Sequence, residues 1–122
     1  MKNCLLTITL ILITVFARGQ VSGIDSLYRL GKAEKNIKKK LLFFNKSVNY
    51  GWYLGDYDKA IRYGNESLKL AYKYKQDSIA ILIHNNIGIA YDYKGDYSKA
   101  LSHFFKALSI SDRIKDLRNH KV

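Results

Sequence analysis

The sequence predicts an all-α protein made of antiparallel helical hairpins stacked as a short solenoid. Three observations lead there. The 122 residues include no proline, so nothing in the chain forces a helix to stop. The segment Gly95-Asp96-Tyr97-Ser98-Lys99-Ala100-Leu101 repeats Gly55-Asp56-Tyr57-Asp58-Lys59-Ala60-Ile61 at an offset of 95 − 55 = 40 residues, and a fixed period of that size marks a stacked-repeat protein. After each of these signatures, small and apolar residues recur at three- and four-residue spacings, the period of a helix with one buried face.

Residues 1–19 read as a secretory signal peptide rather than as part of the fold. Lys2 supplies a positive start, Leu5 to Phe16 is almost unbroken apolar sequence, and Ala17-Arg18-Gly19 offers small residues to a signal peptidase. The cut falls before Gln20, or alternatively after Ala17. A membrane anchor is the competing reading, but the apolar run of about 12 residues is short of the roughly 20 that span a bilayer. Cys4, the single cysteine, lies inside the segment to be removed, so the mature chain has no thiol for a disulfide, a zinc site or a nucleophile.

Residues 20–40 form an N-terminal helical segment, in which Asp25 caps a short helix carrying Ile24, Leu27, Tyr28 and Leu30. A first repeat unit spans 41–80. Its first helix runs from about Asn36 to Leu54, Gly55 supplies a left-handed end, and Asp56 caps a helix from Tyr57 to about Lys75. A second unit spans 81–114, its first helix capped by Asp77 or Ser78 and ending at Lys94. The Gly95-Asp96 corner then opens a helix to about Ile114, with Tyr97, Ala100, Leu101, Phe104, Ala107, Leu108 and Ser111 on one face. Residues 115–122 are a tail or the start of a further helix. The β-branched run Ile79-Ala80-Ile81-Leu82-Ile83 resembles a buried strand. It continues without a breaker through Tyr91, too long for an ordinary strand, so a helix is expected.

The second unit resembles a tetratricopeptide repeat, a helical hairpin of about 34 residues. With Ile81 as its first residue, the matching positions are Ile87, Gly88, Tyr91, Gly95, Tyr97, Ala100, Phe104 and Ala107. The first unit is a degenerate copy, with Val48, Gly51 and Gly64 where the second has Gly88, Tyr91 and Phe104. It is expected to pack more loosely, with Tyr50, Trp52 and Tyr63 filling its gaps. The family's tryptophan position holds Phe44 in one unit and His84 in the other, and its late proline is absent. The resemblance implies a right-handed superhelix and a protein- or peptide-binding module that is not an enzyme. It is similar to long-helix tetratricopeptide segments of exported bacterial sensor kinases and LuxR-type regulators. That makes the input domain, or N-terminal fragment, of a sensor the alternative reading.

In that family the exposed side of each unit's first helix lines a concave groove that holds peptide. Carried over by position, those residues are Asn45, Asn49, Trp52 and Tyr53 from one unit, and Asn85, Ile89, Asp92 and Tyr93 from the next. No catalytic constellation accompanies them. His84, His103 and His120 have neither metal-ligand spacing nor suitably placed carboxylates, the paired glycines are helix corners, and no cofactor or metal is expected. Asn45-Lys46-Ser47 and Asn65-Glu66-Ser67 match a glycosylation pattern by chance within helices. The ten tyrosines read chiefly as spacers between hairpins.

The formal charge of +11 becomes (21 − 2) − 10 = +9 once Lys2 and Arg18 are removed. Such a charge suits an acidic protein partner. Its lysines are spread over helices, and an exported protein meets little nucleic acid, so no nucleic-acid role is expected. The expected location is the periplasm or the exterior of a bacterium, with membrane involvement only through the signal peptide. Two units fall short of the roughly three that a solenoid needs, which leaves self-association through an uncapped end, or a longer parent chain, as expectations.

Overall fold

The computed structural model describes residues 2–120, with side chains described for 3–12 and 23–120. Among these residues there are five helices and no strands: α1 (Lys2–Ala33), α2 (Ile37–Tyr53), α3 (Tyr57–Lys73), α4 (Asp77–Lys94) and α5 (Tyr97–Asn119). Each packs on the next in the chain, and α2 also packs on α4, which joins the α2/α3 hairpin to the α4/α5 hairpin. The expected all-α hairpin stack is what forms, and residues 79–93 are helical.

The corners explain why the chain turns where it does. Gly55 and Gly95 take φ of +85° and +89°, left-handed values that cost L-residues energy. Beyond them Asp56 N–H donates to Gly51 O, and Asp96 N–H to Tyr91 O, each at 2.9 Å, which satisfies carbonyls left over at the helix end. The same aspartates then accept the Lys59 and Lys99 amides at 3.2 Å, and Asn36 does so for Lys39 at 3.0 Å. A cap of this kind contributes about 1 kcal/mol. The corner between the hairpins has no glycine: Lys75 takes φ of 52° there.

The core runs between the hairpins. Leu41, Val48, Ala60, Ala71, Ala80, Ile83, Ile87 and Ala90 are wholly buried. The glycines of the first unit make its packing close rather than loose. A Cβ on Gly64 would lie 2.4 Å from Ile87, and one on Gly51 would lie 2.9 Å from the Ala60 Cβ. The gaps are therefore filled by neighbouring backbone and by Ile87, not by the three aromatic residues expected to fill them. Tyr50 instead lies against Gly23, Tyr63 stacks on Tyr28, and Trp52 stacks on Tyr93.

Four other expectations change. Asp25 caps nothing, because α1 runs through it. Its carboxylate accepts from the Tyr63 hydroxyl at 2.6 Å and pairs with Lys59 at 3.2 Å, and chiefly the tyrosine bond lowers its pKa. The α4 cap position falls on Gln76, which makes no side-chain cap bond, while Asp77 pairs with Arg113 at 3.1 Å. The last helix continues past Ile114 to Asn119. On α5 the buried residues are Ala100, Ala107 and Ile110, whereas Tyr97, Leu101 and Leu108 are exposed.

α1 has a place in the repeat that the sequence did not reveal. Ser47 of α2 donates to Ile24 O at 2.8 Å, and forty residues on, Ile87 of α4 meets Gly64 of α3. Likewise Phe44 packs on Gly31, and Phe44 and His84 hold equivalent places in the two units. The C-terminal part of α1 thus stands where the second helix of a preceding unit would stand. Tyr28 bonding to Glu66 ties it across to α3.

Candidate functional site

The first helices of the two units, α2 and α4, lie side by side and carry the residues expected to face a ligand. Between them stands Asn86, a residue the sequence reading did not select. It projects from the apolar face of α4, in line with Ile79, Ile83 and Ala90, and is 9% exposed. Its amide nitrogen donates to Asn45 Oδ1 at 2.8 Å, and its oxygen accepts from the Trp52 indole at 3.1 Å and from Asn49 at a longer 3.5 Å. A polar side chain on an apolar helix face is the signal that would have found it. The repeat comparison hid it, because Lys46 occupies its place one unit earlier.

This network divides the expected residues into two sets. Asn45 and Trp52 are half-buried and engaged in the joint between hairpins, and Ile89 is half-buried beside them in sequence register. Asn49, Tyr53, Asn85, Asp92 and Tyr93 are exposed. Asn85 makes no side-chain hydrogen bond among the described residues, so its amide is open to a peptide backbone. Next to it in helical register, Leu82 is exposed, as is Leu42 one unit earlier, and both add apolar surface.

Aromatic rings continue the surface. Tyr93 stacks on Trp52 at 5.8 Å and 11°, and on Tyr57 at 5.9 Å and 4°. Trp52 meets Tyr53 edge-on at 6.3 Å. Such offset and edge contacts are the favoured arrangements of rings, and Tyr53 and Tyr93 still present area to solvent. Aromatic residues of this kind anchor protein interfaces because little rotamer entropy is lost on binding.

The histidines form a second polar cluster inside the other hairpin. His84 Nε2 lies 2.5 Å from the Tyr72 hydroxyl, and His84 Nδ1 lies 2.9 Å from His103 Nδ1. One imidazole must donate and the other accept, so the pair fits together only when at least one ring is neutral. Burial, then the neighbouring His103 and Lys106, hold the His84 pKa down at about 4, and burial also lowers that of His103. His120 lies exposed at the end of α5. Among the described residues no group of three or more His, Cys, Asp or Glu is placed to hold a metal ion.

Paired antiparallel helices repeating every 40 residues, with the first helices lined up on one side, define the class of helical-hairpin repeat proteins. A family model described as tetratricopeptide repeat matches residues 44–113, and the chain belongs to that family. No curated protein and no solved structure matches the chain. Tetratricopeptide repeats serve broadly as protein–protein interaction scaffolds.

Proposed function

We propose that this protein is a non-catalytic scaffold that holds an extended segment of a partner protein along α2 and α4. The observation that carries the reading is the row of stacked and edge-on rings Tyr53, Trp52 and Tyr93 on the same two helices, α2 and α4, that carry the unpaired Asn85 amide about two turns away. The rings give apolar anchorage and the amide bonds a peptide backbone, a division of labour common in peptide recognition. The positive net charge, +11 for the full chain and +9 once Lys2 and Arg18 are removed, favours an acidic segment.

Export is part of the proposal. Leu5, Leu6, Ile8, Leu10, Ile11 and Leu12 are all more than half exposed, as expected of a leader that serves transport rather than the fold. No helix among the described residues is long and apolar enough to cross a membrane. N-terminal sequencing of protein recovered outside the cytoplasm should begin at Gln20 or Arg18, and an intact Lys2 would sink this part of the reading.

The test of recognition uses exposed residues, since Trp52 also holds the joint together. Tyr53→Ala combined with Asn85→Ala should weaken capture of partner segments from a peptide array at least tenfold without lowering the melting temperature. Unchanged capture would remove this surface from consideration.

A further inference from the structure

The two ends of the helices differ in charge. Consecutive helices run antiparallel, so the corners at 34–36 and 74–76 share one end of the molecule and the Gly-Asp corners share the other. At the Gly-Asp end, residues 55–62 and 92–99 each hold two acidic and two basic residues, and Lys59, Lys94 and Lys99 all pair with an aspartate. At the opposite end, residues 29–46 carry Arg29 and six lysines against Glu34 alone, 7 − 1 = +6 of the chain's +11. Residues 69–75 add three lysines and no carboxylate. Among the described residues none of these cations forms an ion pair.

The placement also opposes the fold. Lys38, Lys39 and Lys40 crowd the start of α2, where the helix dipole is already positive and no acidic residue offsets them. At the same place α3 and α4 carry Asp58 and Asp77. Exposed apolar side chains stand among the lysines. Leu30, Leu42 and Tyr74 are 54%, 38% and 42% exposed, and Lys39 and Lys46 bracket a shallow hollow of about 220 Å³ on Leu42 and Phe43. This end is a rim of the array, across the direction in which units stack, so a further unit on either side would leave it open.

We propose that this end is a contact surface for an anionic lipid bilayer, its lysines meeting phosphate headgroups and Leu30, Leu42 and Tyr74 entering between them. Charge sets the sign of the ligand. The layout sets its shape. The cations surround the ends of α1, α2 and α3 rather than following one groove, so a flat anionic surface meets them together and a single strand does not. Lysine stems lie along apolar surface while their ammonium groups stay at the headgroups. Bound phosphate also relieves the crowding of positive charge at the start of α2. The surface is separate from the α2/α4 rings and needs no leader, so it stands or falls independently of peptide recognition and of export.

The test measures co-sedimentation of the purified full chain with vesicles of phosphatidylcholine, and with vesicles of phosphatidylcholine and phosphatidylglycerol in equal parts. The apolar leader adds to both arms and is the same in every variant. Partition into the anionic vesicles should be at least tenfold stronger and should fall with salt. Lys35→Gln with Lys38→Gln and Lys39→Gln should lower it at least tenfold, yet the melting temperature should not drop, because the start of α2 is relieved. Arg62→Gln with Lys94→Gln and Lys99→Gln removes the same charge from the Gly-Asp end and should change partition by less than about twofold. Leu30→Gln with Leu42→Gln should weaken partition severalfold without altering its salt dependence. All three variants should keep the helical circular dichroism of the parent, because the replaced side chains face solvent. The proposal is overturned if anionic lipid makes no difference, if the two triple variants behave alike, or if the leucine pair has no effect. It is also overturned if glycerol phosphate or a single-stranded oligonucleotide, at matching phosphate concentration, binds as tightly as the vesicles, since a free phosphate or a polyanion would then be the ligand.

Discussion

Ile61 and Leu101 hold the same place in successive units, yet one is nearly sealed and the other is open to water. The α2/α3 hairpin has α1 on one side and α4 on the other, whereas among the described residues α4/α5 has a neighbour on one side only. The difference shows that in a repeat array burial belongs to the neighbour as much as to the residue. The same apolar side chain is core in one unit and surface in the next.

The largest effect should follow from breaking this asymmetry at its covered side. Ile61→Ala or Leu68→Ala should each cost about 3 kcal/mol in urea unfolding, as buried aliphatic truncations do, while Leu101→Ala and Leu108→Ala should stay within about 0.5 kcal/mol. Equal losses in the two units would mean that the exposed stripe is covered in solution.

The units also differ at their equivalent positions Phe44 and His84, and acid should reveal it. With the folded His84 pKa at about 4 and the unfolded value near 6.5, only the unfolded state takes up this proton between those limits. Stability is therefore complete above about pH 6.5 and falls as pH drops toward 4, by up to about 3 kcal/mol. His84→Gln should flatten urea midpoints measured across that window. A window that persists in the variant would assign the effect to His103 or elsewhere.

A smaller contrast lies in the glycines. Gly64→Ala pushes a Cβ to 2.4 Å from Ile87, an aliphatic side chain buried on all sides, and should cost about 2 kcal/mol. Gly88→Ala meets only the half-buried Phe104 ring, which can swing outward, and the alanine gains about 1 kcal/mol of helix propensity. Its net cost in thermal unfolding should be below about 1 kcal/mol. The smallest effect is a gain: Lys75→Gly at the left-handed corner should add about 0.5 to 1 kcal/mol, because glycine takes φ of 52° without strain.

Much of the fold was legible because it rests on local chemistry. The Gly-Asp corners with their caps at Asp56 and Asp96, and the helical spacing, are set by residues a few positions apart, and so is the Asn36 cap, which the sequence reading did not name. What escaped depends on the neighbour. Tyr97 and Leu108 read as part of the packed face from helical spacing alone; their counterparts Tyr57 and Leu68 have α4 above them, and among the described residues α5 has no such helix. Asp25 read as a cap because aspartate favours helix starts, and only the approach of Tyr63 and Lys59 from α3 gives it another role. The residues of the proposed recognition row, Trp52, Tyr53, Asn85 and Tyr93, were chosen from repeat position alone. Asn86 was not among them, since its partners come from 34 to 41 residues away.

The sole tryptophan lies in the joint between the two hairpins, its indole nitrogen bonded to Asn86 and its ring parallel to Tyr93. Its ultraviolet emission is therefore a built-in gauge of how one hairpin sits on the other. A shift in wavelength without loss of helical signal would register a change of angle at that joint, before any unfolding and with no added label.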